Sequence, residues 1–132
     1  MYLYKYIYYK MYSNTQFSGK HLIIDIKNIK NEDIINDIDK LKTIMDTICK
    51  KYNFNVLQKI EHKFEPQGIS IVYLLSESHM TIHTFPEKKY IAFDLYTCRE
   101  YLNNDVYHEI HNYIIREFQC DLEYPQIIDR EF

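Results

Sequence analysis

ISIVYLLSESHMTIHTFPEKKYIAFDLYT, residues 69–97, contains three runs rich in β-branched and aromatic residues: Ile69 to Leu75, Ser78 to Phe85 and Tyr90 to Thr97. Such side chains fit a pleated, half-buried surface, so each run predicts a strand. Pro86 to Lys89 join the last two as a hairpin. Working outward, Phe54 to Ile60 predicts a further strand, and His21 to Lys27 sets Leu22, Ile24 and Ile26 on one face against Asp25 and Lys27 on the other. Between these strands Ile34, Ile35, Ile38, Leu41, Ile44, Met45 and Ile48 recur every three or four residues, which predicts one amphipathic helix starting near Asn31. A second helix is expected over Glu100 to Phe118, burying Val106, Ile110, Ile114 and Phe118, followed by a short strand near Asp121 to Tyr124. At the N-terminus, Tyr2, Tyr4, Tyr6 and Tyr8 alternate with other residues, as in an extended edge strand or an arm reaching a partner subunit. Strands interrupted by two helices with one apolar stripe each predict an α+β two-layer sandwich: an antiparallel β-sheet with two helices packed on one face.

The 132 residues suit a single domain, 1–132. A net charge of −3 with scattered lysines offers no basic footprint, so nucleic acid is not an expected partner. Without a run of about 18 apolar residues no membrane span is expected. Cys49, Cys98 and Cys120 lack metal-type spacing and are odd in number, which fits a reducing cytoplasm better than a disulfide framework. His79 with His83, and His108 with His111, have helical ligand spacing, but the first pair lies in a strand and neither accompanies a carboxylate-rich motif, so no metal is expected.

Taken singly, the polar residues of the central stretch have bland readings. Ser78 is a strand-end hydroxyl, Cys98 a small buried apolar side chain, Phe64 part of a core and Glu87 a solvated turn residue. Together they read differently. Glu77-Ser78-His79-Met80-Thr81-Ile82-His83-Thr84-Phe85-Pro86-Glu87 resembles the cleavage motif of the short, prokaryotic-type, pyruvoyl-dependent S-adenosylmethionine decarboxylases. Tyr90 to Cys98 is similar to that family's strand ending in Thr-Cys. Phe64, Pro66, Gly68 and Ser70 fall in register with it, and Gly19-Lys20-His21-Leu22 looks like its first strand. The resemblance runs from about Gly19 to Cys98.

It implies that the chain cuts itself between Glu77 and Ser78 into a β chain 1–77 and an α chain 78–132, with Ser78 becoming a pyruvoyl group. That group supplies the Schiff-base carbonyl and electron sink for decarboxylating S-adenosylmethionine. By the same resemblance Ser70 and His83 serve processing, His83 handling the proton removed before elimination. Cys98 protonates the substrate carbon, Phe64 stacks on adenine and Glu87 binds the ribose. Ser78 and His83 lie five residues apart, on opposite faces of an ideal strand, so a bend near the scissile bond is expected. A homodimer of processed units is expected to cover the second sheet face, and the product would be the aminopropyl donor for spermidine synthesis. Two departures stand out: Lys89 occupies a turn position, and Arg99 follows Cys98, where the family commonly has glycine, so a changed turn type and an altered pocket mouth are expected. They keep open a pyruvoyl-dependent ornithine or arginine decarboxylase. An uncleaved structural or regulatory homologue is the reading from another class.

Overall fold

The computed structural model describes residues 16–121 and 123–132, so the tyrosine-rich arm lies outside the described residues. Six strands form one sheet: β1 Phe17–Ile26, β2 Val56–Lys63, β3 Ile69–Leu75, β4 Ser78–Phe85, β5 Tyr90–Thr97 and β6 Gln126–Glu131, in spatial order β2-β3-β4-β5-β1-β6. Every neighbouring pair is antiparallel. The three strands of the central stretch fall where their composition predicts.

Strict alternation divides the sheet. Leu22, Ile24, Ile26, Ile69, Ile71, Tyr73, Leu75, Met80, Ile82, Ile91, Phe93 and Leu95 are buried on one face, in one cluster with Leu41, Ile44, Met45 and Ile48 of helix α2 (Ile38–Lys51) and Tyr107, Ile110, Ile114 and Phe118 of helix α3 (Asp105–Phe118). Both helices therefore cover the same face, the expected α+β two-layer sandwich. Burial of a large apolar side chain contributes roughly 1.5–3 kcal/mol, so this single cluster dominates stability. Among the described residues no helix is long and apolar enough to cross a membrane.

Five boundaries differ from the sequence reading; the first is β1, which runs Phe17–Ile26 and not His21 to Lys27, because pairing with β5 and β6 extends it back past His21. The first predicted helix is split into α1 (Glu32–Ile35) and α2, because Asn36 leaves the helix to accept a hydrogen bond from Gly68 N (3.1 Å) and the Asp37 carboxylate recaps the chain by accepting from Asp39 N and Lys40 N (3.1 Å each). Strand β2 starts late, at Val56, since Phe54 is spent on the helix exit, its N–H donating to the Cys49 carbonyl (2.9 Å). Helix α3 starts at Asp105 instead of Glu100; the Asn103 side chain accepts from Asp105 N (2.9 Å) and organises the first turn. The last strand is Gln126–Glu131, not Asp121 to Tyr124. Pro125 cannot donate to a ladder, and pairing with β1 begins immediately after it.

The β1–β5 contact requires one glycine. A Cβ on Gly19 would lie 2.2 Å from the Thr97 carbonyl oxygen, so no side chain fits where β1 passes the end of β5.

Candidate active site

The turn between β3 and β4 consists of Ser76 and Glu77, with Glu77 in the left-handed region at φ 60°. The Asn55 side chain donates to Ser76 Oγ (2.8 Å), and Ser76 N donates to the Asn55 carbonyl (2.9 Å), which fixes the turn against the start of β2. A non-glycine residue held there stores strain of order 1 kcal/mol. Ser78 is the next residue, buried at 8% exposure on the helix-facing side.

Cys98, equally buried, meets Ser78 from the end of β5. Its backbone N–H donates to Ser78 Oγ (3.3 Å), the Ser78 hydroxyl donates to Cys98 Sγ (3.8 Å), and the thiol donates to Glu77 Oε2 (3.4 Å). A hydroxyl, a thiol and a carboxylate thus form one line on the two residues of a single peptide bond and the cysteine facing it. Below them Thr97 Oγ1 and Tyr107 Oη are hydrogen-bonded at 2.7 Å, which ties this end of β5 to α3. Burial pushes the Tyr107 hydroxyl up to about 12, so it stays neutral.

A second group lies on the other face, toward the other end of β4. Ser70 and His83 are directly opposite in the β3–β4 register, and Ser70 Oγ lies 2.7 Å from His83 Nδ1. They line a pocket together with Phe64, Gly68, Phe85 and Glu87. Gly68, at φ 104°, makes the sharp return that lets its carbonyl accept from Phe64 N (2.8 Å). The Phe64 ring is left 47% exposed, edge-on to His62 at 4.5 Å between centroids. Glu87 sits in the 3₁₀ turn Pro86–Lys88, its Oε2 accepting from Gln67 Nε2 (3.4 Å).

The seven predicted site residues therefore fall into two groups: Glu77, Ser78 and Cys98, and Phe64, Ser70, His83 and Glu87. The expected bend is absent. Strand β4 is paired without interruption from Leu75↔Ser78 to Ser70↔His83, so roughly 16 Å of regular strand and a change of face separate Ser78 from His83. The carboxylate of Glu77, expected only as the residue before the cut, was not foreseen as a partner of the thiol.

The two departures resolve locally. Lys89 does adopt the glycine-like conformation (φ 49°, ψ 43°); its N–H donates to the Pro86 carbonyl (3.1 Å) and its Nζ pairs with Glu32 Oε1 (2.8 Å). The lysine takes the left-handed conformation itself and is anchored at both its N–H and its Nζ. Arg99 points away from the thiol. Its guanidinium donates to the carbonyls of Tyr52 and Asn53 at the end of α2 and lies 4.8 Å from the Phe54 ring centre, a cation at a helix C-terminus.

Comparison with known proteins bears on this arrangement. Residues 20–131 match the sequence model of the family described as S-adenosylmethionine decarboxylase. Over 111 residues the chain is 38% identical to the S-adenosylmethionine decarboxylase proenzyme of Thermodesulfovibrio yellowstonii, covering 84% of this chain and 78% of that one. It is 42% identical over 85 residues to the proenzyme of the same name from Clostridium kluyveri, covering 64% of this chain and 67% of the other. In fold it resembles the crystal structure of the adenosylmethionine decarboxylase from Aquifex aeolicus, with a TM-score of 0.76, 24% identity and coverage of 89% of this chain and 94% of that one.

Proposed function

The chain belongs to the S-adenosylmethionine decarboxylase family, and from that premise we propose that it decarboxylates S-adenosyl-L-methionine with a pyruvoyl group made from its own Ser78. The observation that carries this reading is the line from the Ser78 hydroxyl through the Cys98 thiol to the Glu77 carboxylate, at a left-handed residue just before the serine.

In self-processing, Ser78 Oγ attacks the Glu77 carbonyl carbon. Its proton passes to Cys98 Sγ as the thiol proton passes to Glu77 Oε2, a relay of the kind that supplies roughly 10²–10⁴ in rate. The C–N bond between Glu77 and Ser78 breaks as the relayed proton passes to the departing nitrogen, and an ester forms in its place. Loss of the Ser78 α-proton then expels the Glu77 carboxylate and leaves a dehydroalanine, which water converts to a pyruvoyl end with release of ammonia. Relief of the positive φ at Glu77 assists the first step.

The pyruvoyl carbonyl supplies an electrophile for the substrate amine and an electron sink for carbon dioxide loss. The residues around position 78 suit such a group: the Cys98 N–H is already aimed at the Ser78 oxygen, and the thiol beside it is placed to return a proton to the substrate carbon. At the other pocket, the exposed Phe64 ring provides a stacking surface for adenine, and the Glu87 carboxylate accepts from ribose hydroxyls.

The same chain cannot bring His83 to its own Ser78. We infer a homodimer with open sheet faces together and its two-fold axis near the middle of β4, which would exchange the ends of that strand and lay one protomer's Ser70–His83 pair over the β3–β4 turn of its partner, at the Glu77–Ser78 bond. The open face carries exposed Ile60, Leu74, Phe85 and Ile128, the apolar surface such a homodimer would cover. This also supports the substrate assignment, since Phe64 and Glu87 then join the reacting centre. Ornithine or arginine would require an acidic pocket, and the Phe64 pocket offers one carboxylate beside an aromatic ring. The product is the aminopropyl donor for spermidine synthesis, and three cysteines without a disulfide fit a cytosolic setting.

The test is release of carbon dioxide from carboxyl-labelled S-adenosylmethionine, ornithine and arginine by the purified chain. Turnover of the first alone is expected. Turnover of either amino acid in its place would overturn the substrate, and none with any would favour a non-catalytic homologue.

A further inference from the structure

Next to Ser78, on the open face, three side chains converge that none of the steps above uses. His21 of β1 and His79 of β4 both stand opposite Tyr96 of β5, one from each side, and Asp94 lies two residues back along β5 on the same face. His21 Nε2 is 2.8 Å from Asp94 Oδ2, and His79 Nε2 is 3.7 Å from the same oxygen. The second distance is too long for a hydrogen bond, so the carboxylate satisfies one imidazole while the other nitrogen faces the same point. All three ligand atoms lie within 4.8 Å of one another.

We propose that His21, His79 and Asp94 bind a divalent transition-metal ion, Zn²⁺ by preference. Ligands about 2.0–2.1 Å from a tetrahedral zinc stand roughly 3.3 Å apart, a spacing the two observed distances bracket. Two imidazoles and one carboxylate on three adjacent strands leave coordination positions for water, and imidazole ligands favour zinc over magnesium. The carboxylate is already oriented: the Thr81 hydroxyl donates to Asp94 Oδ1 and turns Oδ2 toward the histidines, the outer contact that metal-binding carboxylates commonly have. Burial works to raise the Asp94 carboxyl, but the Thr81 and His21 hydrogen bonds and the nearby imidazoles outweigh it, keeping the group below the usual carboxylate range and ionised. In the single chain the neighbourhood is partly open, with His79 at 38% and Asp94 at 28% side-chain exposure, so an ion can enter before a second chain covers this face. Sequence spacing considered only His79 with His83 and His108 with His111 and led to no expected metal, because His21, His79 and Asp94 are far apart in the chain and meet only through the β4-β5-β1 register. A bound ion would brace the three strands one residue after Ser78, whether or not the Glu77–Ser78 bond is cut.

The experiment strips the full-length chain with a chelator and titrates it with Zn²⁺ against a chromophoric competitor, then with Co²⁺ followed by its visible spectrum. One equivalent per chain is expected, with Co²⁺ bands free of thiolate charge transfer and no competition from Mg²⁺. His21→Ala and His79→Ala should each weaken binding by more than the roughly 10–100-fold that loss of an outer contact to a ligand costs, while Cys120→Ser leaves it unchanged. Failure to retain one equivalent, thiolate bands in the Co²⁺ spectrum, or undiminished binding by both histidine variants would overturn the site. Circular dichroism checks the variants, and the Co²⁺ spectrum of the unsubstituted chain decides the matter should they fail to fold.

Discussion

The two ends of β4 differ in burial, in backbone and in the face they present. At the Ser78 end the polar atoms are buried, strained and aimed at one peptide bond: hydroxyl, thiol and carboxylate in sequence beside a left-handed residue. At the His83 end they are part-buried on paired strands and gathered with an exposed aromatic ring and a carboxylate, a surface for holding a ligand. Five residues apart on a strand of period two, Ser78 and His83 face opposite sides. The division suggests that processing chemistry belongs to the first end, recognition and proton handling to the second, and that two chains are needed to join them.

The largest effect should come from Ser78→Ala, which removes the nucleophile and the source of the carbonyl together; decarboxylation should fall below detection while the thermal midpoint stays within a few degrees, read by labelled carbon dioxide release and calorimetry. Sharper for the comparison is complementation. His83→Ala alone should stay largely whole, yet co-expressed with Ser78→Ala its chain should be cut, because the mixed dimer supplies an intact His83 to an intact Ser78. Electrophoresis of the tagged chains reads this directly, and no rescue would break the two-chain account. Next, Glu77→Gln removes the end of the relay and should slow processing about 10²-fold with stability little changed, measured by the time course of cleavage after synthesis.

Smaller effects test the scaffold. Arg99→Ala should lower stability by about 1 kcal/mol in urea unfolding and leave processing intact, since its guanidinium caps α2 and does not face the thiol. Asp94 gives a pH signature. Its carboxyl lies below the ordinary value of 3.8, so its contribution is complete above that value and is lost as pH falls through the folded-state value. The stability difference between the parent chain and Asp94→Asn should therefore be constant at neutral pH and shrink on acidification below about pH 4.

Much of this architecture was legible from local pattern. Ile69 to Leu75, Ser78 to Phe85 and Tyr90 to Thr97 are strands by composition, and their bounds hold because sharp turns flank them. Boundaries failed where a tertiary contact overrode periodicity: Asn36 reaching Gly68, and Phe54 turning back to Cys49. The candidate site was named from motif, and its residues do gather, but in two groups. Alternation alone already placed Ser78 and His83 apart; continuous pairing on both sides of β4 is what rules out the expected bend. The Glu77–thiol contact and the His21–His79–Asp94 cluster were hidden because they depend on turn conformation and on register between strands distant in sequence.

The most direct test of the central claim is intact-mass spectrometry of the freshly purified chain. Two polypeptides are expected, 1–77 and 78–132, the second starting with a pyruvoyl group in place of serine and so lacking a free amine. A single full-length mass, with Ser78 still an ordinary serine in a folded protein, would contradict it.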